Sequence, residues 1–247
     1  MNMDKSSIIG GIALIMLIGV SYFTGAIPNV LFNIHAFVVV LGGTLIATLI
    51  SSPSRYFVKA LKSASIIFKE GGFSDFDRVM GYITEMGDNV RKNGFKALKD
   101  TDENIADGFV KRISECIVEY SDMQFVRSVI EKEINYEYDE MIEISNVYRT
   151  MAVLSPMFGL VGTLMGIIGV LKEISNPDMI GPAMSIAITS AFYGIFLSNM
   201  IFTPFANKIR TKASLNLRFK SAIFEAMLDI MKGTLSIMVE RKLKIFR

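Results

Sequence analysis

Residues 151–204 read M-A-V-L-S-P-M-F-G-L-V-G-T-L-M-G-I-I-G-V-L-K-E-I-S-N-P-D-M-I-G-P-A-M-S-I-A-I-T-S-A-F-Y-G-I-F-L-S-N-M-I-F-T-P, and this stretch decides the fold. Two long runs, residues 150–171 and 179–207, contain no charged side chain. A helix needs about 20 apolar residues to cross a bilayer core of about 30 Å, so each run is long enough to span a membrane. The stretch therefore predicts two membrane helices joined by a short polar turn.

Small residues recur at spacings of three and four in both runs, which places them on one face of each helix. They are Gly159, Gly162, Gly166 and Gly169 in the first run, and Ala183, Ala187, Ala191, Gly194 and Ser198 in the second. Lipid gives two helices no hydrophobic reason to associate, so such faces usually mark close helix packing. Packing alone is one interpretation. The other assigns a function to the hydroxyls beside these faces, which belong to Thr163, Thr189 and Ser190.

The amino-terminal part predicts two more spans. Between residues 6 and 54 the only ionisable side chain is His35, and the segment divides into apolar runs at about residues 8–23 and 34–50. A cleaved signal peptide is the alternative for the first run. A leader whose only basic residue, Lys5, is offset by Asp4, followed almost at once by another span, argues against it.

Residues 53–149 differ sharply, since they hold 14 of the 26 basic and 18 of the 24 acidic residues. Helical patterns here break at Gly71-Gly72 and at Gly94, and residues 74–77 and Asp122 are each expected to begin a helix. The expected apolar positions of the second helix are Phe125, Val129, Ile130, Ile134, Met141, Ile144 and Val147. We predict four segments: spans one and two (1–52), a helical cytoplasmic domain (53–149), spans three and four (150–204) and a basic amphipathic tail (205–247).

The distribution of Lys and Arg predicts the orientation. The loop after the first span has neither residue, and the loop after the third has only Lys172. By the positive-inside rule both short loops lie outside, while the two termini, the middle domain and the basic tail lie in the cytoplasm. The predicted fold is an all-α polytopic membrane protein with four transmembrane helices and a helical cytoplasmic domain between the second and third.

The inventory of side chains excludes most chemistry. The chain has one histidine and one cysteine, which are too few for a His/Cys metal cluster or for a catalytic nucleophile paired with a base. We therefore expect that the protein is not an enzyme and binds no cofactor. A net charge of +2 from interspersed charges does not indicate nucleic-acid binding.

No span carries Asp, Glu, Lys or Arg at its centre, although proton relays through membranes normally use such groups. The protein is then either a passive scaffold or one that receives a carboxylate from a partner helix. Such a helix is expected to pack against Gly159, Gly162, Gly166, Ala187 and Gly194, with the carboxylate held between Thr163 and Ser190. Apolar surroundings would raise the pKa of that carboxyl group.

Pro156 and Pro204 lie near the cytoplasmic ends of the third and fourth spans. Each is either an ordinary bend or a hinge, because proline lacks a backbone donor and clashes with the preceding turn.

The segments S-P-M-F-G-L-V-G-T-L-M-G-I-I-G-V-L (residues 155–171) and N-P-D-M-I-G-P-A-M-S-I-A-I-T-S-A-F-Y-G-I-F-L-S-N-M-I-F-T-P-F-A-N-K-I (residues 176–209) resemble the MotA/PomA family of flagellar stator subunits. The resemblance extends over almost the whole chain, including R-K-N-G-F-K-A-L at residues 91–98. It implies a ring of five subunits in the bacterial inner membrane around two copies of a single-span MotB or PomB partner, which supplies the membrane aspartate.

The resemblance also implies residue roles. Arg91 and Lys92 match the family's basic site, which faces the rotor protein FliG. Lys99 stands at a position where the family usually has an acidic residue, and Asp100 and Asp102 supply negative charge nearby. Pro156 and Pro204 match two prolines tied to conformational coupling. The implied ion pathway includes Thr163, Ser190 and Ala191. Because sodium-driven relatives carry a hydroxyl residue at the position of Ala191, protons are favoured, with sodium open through Thr189 and Ser190. The alternatives are an ExbB/TolQ-type energiser of an envelope machine and a scaffold that conducts nothing.

Overall fold

The computed structural model describes residues 4–25, 31–63, 76–120, 122–175 and 177–245, and these ranges contain helices and no strand. The chain forms two compact units. The first comprises residues 1–69 and 142–210, and the second comprises residues 70–141 and 211–247. The predicted all-α fold is confirmed. The prediction of four segments with boundaries at 52, 149 and 204 stays a prediction.

The first two spans are confirmed as helices. Helix α1 covers Lys5–Phe23. The second span is one continuous apolar helix, Ile34–Ser51, built from α2 (Ile34–Phe37), a π-helical segment (Val38–Gly42) and α3 (Gly43–Ser51). A short amphipathic helix, α4 (Ser54–Lys62), follows. None of the residues in α1 is buried within the chain, so its apolar surface requires lipid or neighbouring protein.

The stretch at residues 151–204 also forms two helices. Helix α7 (Met123–Lys172) continues through the third span, and α8 (Pro177–Phe196), a π-helical segment (Leu197–Phe202) and α9 (Thr203–Met231) form the fourth. All four spans are long and apolar enough to cross a membrane. Helices α7 and α9 contribute residues to both compact units. Asp122 begins α7 as predicted, because its carboxylate accepts a hydrogen bond from the backbone N–H of Gln124 at 2.9 Å.

Long-range contacts hold the first unit together. The Tyr148 hydroxyl donates to the carbonyl of Ala60 at 2.8 Å, and the Tyr193 hydroxyl donates to the carbonyl of Leu31 at 2.5 Å. Gly43 admits the Phe158 ring so closely that a Cβ atom built on Gly43 would lie 2.3 Å from it. These contacts join the second span and the residues that flank it to α7 and to the fourth span.

Asp4, which stands at the start of the first span, has two structural roles. Its carboxylate caps α1 by accepting from the backbone N–H of Ser6 at 3.1 Å. It also forms an ion pair with Lys208 on α9. The Lys208 ammonium, followed by the hydroxyl of Ser6, holds the pKa of Asp4 well below its usual value. The amino-terminal end of α1 is therefore tied to the end of the fourth span.

The second unit is a bundle with a separate hydrophobic core. It contains α5 (Phe76–Asn93), 3₁₀ segments at Phe95–Asp100 and Ile105–Gly108, α6 (Phe109–Tyr120), the first part of α7, the last part of α9, and α10 (Ser236–Ile245). The predicted break at Gly94 is confirmed, since α5 ends at Asn93 and Gly94 has φ of +72°. Gly71, Gly72, Ser74 and Asp75 lie outside the described residues.

One predicted apolar face is shifted by a residue. Phe125 and Val129 are exposed at 43% and 38%, whereas Val126 is fully buried together with Ile130. Phe125 instead packs its ring on Tyr120, with 4.6 Å between ring centroids. The expected face at the start of α7 was therefore partly wrong: the core is formed by Val126, Ile130 and Ile134.

Candidate functional site

The third and fourth spans cross at their small residues. A Cβ atom built on Gly159 would lie 2.9 Å from the Ser190 carbonyl oxygen, and one on Gly166 would lie 2.6 Å from the Ala187 backbone nitrogen. One on Gly194 would lie 2.8 Å from the Ser155 carbonyl oxygen. Real Cβ atoms essentially never approach other atoms so closely, so only glycine fits at these positions. We call this crossing of α7 and α8 the glycine seam.

The glycine seam gives the predicted packing residues a role within one chain. The residues expected to receive a partner's helix were Gly159, Gly162, Gly166, Ala187 and Gly194. Within this chain Gly159 faces Gly194, Gly166 faces Ala187, and Gly162 faces Ser190. Contacts of under 3 Å to an added Cβ leave no room for another helix there. The sequence pattern could not distinguish these cases, because a small-residue face looks the same whichever helix covers it.

Two hydroxyl groups reach across the seam to carbonyl oxygens. Ser155 donates to Gly194 at 2.7 Å, and Thr163 donates to Ala187 at 3.1 Å. Thr163 also lies 3.0 Å from the carbonyl oxygen of Gly159 in its own helix. Hydrogen bonds between membrane helices each contribute about 0.6 to 2 kcal/mol. Thr163 is thus part of the seam and not a free hydroxyl.

Ser190 differs from the other hydroxyls. It is fully buried, and its Oγ is the one buried side-chain oxygen or nitrogen without a hydrogen-bond partner among the described residues. The Oγ faces Gly162, since a Cβ built on that glycine would lie 2.4 Å from it. Thr189, also buried, donates to Ser185 of its own helix at 2.6 Å. Ser190 therefore keeps its full hydrogen-bonding capacity at the centre of the seam.

Thr163 and Ala191 lie where the seam meets exposed apolar surface. Thr163 is half-buried between Leu160 and Ile167, one helical turn to either side and exposed at 60% and 42%. Ala191 is half-buried between the exposed Ile188 and Ile195 in the same way. Exposed apolar stripes on two helices therefore flank the buried Ser190, and three residues of the predicted ion pathway occur together at one crossing.

The two prolines have different surroundings. Pro156 is half-buried inside α7, and its neighbour Ser155 forms one of the seam hydrogen bonds. Pro204 is exposed in the first turn of α9, directly after the π-helical segment Leu197–Phe202 and Thr203. Both lie in continuous helical chain, so sequence analysis located the positions where the regular hydrogen-bond ladder is interrupted.

The residues predicted to face the rotor lie on the second unit and are exposed. Arg91 and Lys92 occupy the last turn of α5, where positive charge suits the helix dipole. Asp100 ends the following 3₁₀ segment. The Asp102 carboxylate accepts two hydrogen bonds of 2.9 Å from Asn104, which lower the pKa of Asp102 and keep it charged. Both signs of charge are therefore presented near the Gly94 turn.

Ser198 and Ser155 are structural residues whose specific contacts sequence reasoning missed. Ser198 was recognised only as a member of the small face, but it donates to the carbonyl of Ala152 at 2.6 Å. The only signal in the sequence was the position of Ser198 on the small-residue face, which does not identify its hydrogen-bond partner. Among the described residues no three His, Cys, Asp or Glu side chains are placed to hold a metal ion.

Residues 99–219 match the family model described as the MotA/TolQ/ExbB proton channel family. The glycine seam and its hydroxyls lie inside the matched range. The family is one of proton channels and not of enzymes.

Full-length relatives extend this similarity. Motility protein A of Bacillus subtilis is 25% identical over 99% of this chain and 91% of its own length. The chemotaxis protein PomA of Vibrio alginolyticus is 28% identical over 94% of this chain and 90% of its own. A chain of the C. jejuni MotAB structure superposes with a TM-score of 0.90, at 23% identity, over 99% of this chain and 96% of that one. At that identity the superposition shows that the two chains share a fold. The four long apolar helices are those expected of a multi-pass membrane protein.

Proposed function

We propose that this chain is the multi-pass subunit of a flagellar stator, which uses proton flow through the inner membrane to drive the rotor. Two observations together carry the proposal: nearly the whole chain is similar to MotA-type proteins, and its membrane spans have no Asp, Glu, Lys or Arg at their centres. A proton pathway needs a titratable group. The group must then come from another chain, and a single-span MotB- or PomB-type subunit with a membrane aspartate is the simplest source.

The exposed apolar stripes are the best surface for that partner. The glycine seam is filled within the chain, whereas Leu160 and Ile167 beside Thr163, and Ile188 and Ile195 beside Ala191, lack a covering residue. A partner helix against these stripes would bring its carboxylate next to Thr163 and Ala191. Apolar neighbours raise the pKa of a carboxyl group, so it would bind a proton near neutral pH and release it when its access to water changes.

Ser190 supports this location. Its unsatisfied Oγ lies behind Thr163 and Ala191 at the centre of the seam, where a free hydroxyl costs about 1 to 3 kcal/mol unless it gains a partner. We infer that Ser190 hydrogen-bonds to the transported ion, its water or the partner carboxylate during part of the cycle. Thr163, Ser190 and Ala191 are therefore the proposed ion pathway.

Protons are the proposed coupling ion. Hard cations are bound by several oxygen ligands, whereas a proton requires only a carboxylate and a water path. Ala191 offers no side-chain oxygen, and the hydroxyl of Thr163 already bonds two carbonyls. Sodium would have to rely on Ser190 and the partner. This pathway is therefore better suited to protons.

The second unit is the proposed rotor contact. Arg91, Lys92, Asp100 and Asp102 are exposed around the Gly94 turn, where a charged surface of FliG could pair with them. We further propose that five copies surround the partner pair, with both termini in the cytoplasm, and that Pro156 and Pro204 couple ion flow to movement of the cytoplasmic part.

Complementation tests the proposal. The chain is expressed with a MotB-type partner in a stator-deficient strain, and swimming is measured with and without sodium and with a protonophore. We expect swimming that is independent of sodium and abolished by the protonophore. Ala191→Thr is expected to increase the sodium dependence, and Ala183→Thr, on the same face two turns away, is its control. Swimming that requires sodium in the unmodified protein would overturn the choice of ion.

The matched family also includes TolQ and ExbB, so an energiser of an envelope machine is the second candidate. The two functions predict different outcomes in the same experiment. A stator subunit restores rotation, whereas an ExbB-type energiser restores an envelope phenotype in a strain lacking that machine and leaves rotation at zero.

A further inference from the structure

Pro156 interrupts the hydrogen-bond ladder of α7 at a defined carbonyl. In a helix the N–H of each residue donates to the carbonyl four residues earlier, and proline has no N–H. The carbonyl of Ala152 therefore lacks its usual donor. Ala152 is buried at 9% exposure, so water cannot freely replace that donor.

Ser198 supplies the missing donor from the opposite helix. Its Oγ lies 2.6 Å from the Ala152 carbonyl oxygen, and the Ser198 residue is 7% exposed. A serine hydroxyl in a helix can bond a carbonyl three or four residues earlier in its own helix. Ser198 instead bonds the one carbonyl of α7 in this region that proline has released.

A π-helical segment begins next to this contact. Ser198 is the second residue of Leu197–Phe202, and the N–H of Thr203, directly after the segment, donates to the Ser198 carbonyl five residues earlier. Such wide turns are frequent at functional sites. Ser155 completes the contact by donating to Gly194 at 2.7 Å, one turn before Ser198. Both bonds join α7 to the fourth span in the turn that precedes the proline.

We propose that Ser198 is a positioning residue that holds α7 at Pro156 in one geometry and thereby sets the ion pathway. Thr163 lies seven residues, or about 10 Å, beyond Pro156 along α7, so a change in this geometry moves Thr163 against α8. The functional part of this inference rests on the proposed stator function. The hydrogen-bonding part does not, because it concerns only the folded chain.

A double-mutant cycle tests the hydrogen-bonding part in the purified full-length chain. The variants are Ser198→Ala, Pro156→Ala and both together, and the readout is the thermal unfolding midpoint in detergent. Ser198→Ala is expected to lower the midpoint by about 3–6 °C when Pro156 is present. In the Pro156→Ala background it should have little effect, because the restored N–H satisfies Ala152. Equal effects of Ser198→Ala in both backgrounds would overturn the proposal.

A second pair of variants gives the answer without altering Pro156. Ser198→Thr keeps the hydroxyl, and Ser198→Val has the same shape without it. Ser198→Thr is expected to keep the wild-type unfolding midpoint and swimming speed. Ser198→Val is expected to lower both. Thr48→Val is the control, since the buried Thr48 hydroxyl bonds Thr44 of its own helix, whose carbonyl also has a backbone donor. Equal behaviour of threonine and valine would contradict the proposal.

Swimming separates a positioning role from a purely structural one. With equal amounts of assembled complex in the membrane, Ser198→Ala should reduce swimming speed at least twofold, and Ser198→Thr should restore it. Unchanged swimming by Ser198→Ala would overturn the positioning role. If the wild-type chain does not support rotation, the stator function fails, and the unfolding cycle still decides whether Ser198 serves the Pro156 carbonyl.

Discussion

Gly166→Ala is the sharpest structural test of the glycine seam. The added Cβ would lie 2.6 Å from the backbone nitrogen and 2.7 Å from the Cβ of Ala187, and an ordinary contact begins at 3.4 Å. The helices must therefore separate by about 0.8 Å, which also loosens the Thr163–Ala187 hydrogen bond of 3.1 Å. Overpacking of this size costs about 1–3 kcal/mol, even though alanine is the better helix former.

The assay is thermal unfolding of the purified chain, with Gly19→Ala as the matched control. Gly19 lies in α1 and has no atom within 4 Å of an added Cβ, so that substitution should be neutral or slightly stabilising. For a chain of this size the expected loss lowers the midpoint of Gly166→Ala by about 3–10 °C. Equal midpoints for the two variants would refute the seam as a close contact.

Three further predictions concern other contacts. Tyr148→Phe removes the 2.8 Å hydrogen bond to Ala60 and should lower the free energy of unfolding by about 1 kcal/mol in chemical denaturation; no change would show that the bond contributes nothing. Lys208 lowers the pKa of Asp4 in the folded chain relative to its value of about 3.9 in the unfolded chain. The ion pair therefore stabilises the fold at pH values above about 3.9, and this stabilisation is lost as the pH falls below that value. The wild-type unfolding midpoint should therefore exceed that of Asp4→Asn at pH 7, and the difference should shrink below pH 4; a difference independent of pH would contradict the ion pair. Arg91→Glu should leave the unfolding midpoint unchanged, because the residue is exposed, but reduce swimming; unimpaired swimming would exclude Arg91 from the rotor contact.

Hydropathy and local chemistry sufficed for much of the fold. A span depends only on its own residues, so the four apolar helices were predictable from composition and length. The same holds for Asp122 at the start of α7 and for the helix break at Gly94, since capping and left-handed backbone conformations are properties of one or two residues.

Contacts between distant segments were less predictable. A face of small residues indicates close packing but does not name the helix that covers it, and Gly166 contacts Ala187 of the same chain. The buried position at the start of α7 is Val126 and not Phe125, because one residue turns a helix by 100° and an aromatic ring next to Tyr120 has another place to pack.

The candidate site was predictable in part, because it depends both on local sequence patterns and on contacts between distant segments. Thr163, Ser190 and Ala191 could be selected from the sequence as polar or small residues in uncharged spans. Whether each hydroxyl group has a hydrogen-bond partner could not be predicted. The unsatisfied hydroxyl of Ser190 and the hydrogen bonds of Thr163 depend on the geometry of the helix crossing. The bond from Ser198 to Ala152 also depends on how the two helices face each other, which no local pattern indicated.

The central claim is that this chain forms half of an ion pathway and that another chain supplies the titratable group. The most direct measurement is flagellar rotation in tethered cells that lack their own stator. The cells express this chain alone, this chain with a single-span partner that carries a membrane aspartate, or this chain with the partner's aspartate changed to asparagine. Rotation is predicted only with the aspartate-bearing partner, and rotation with this chain alone or with the asparagine partner would contradict the account.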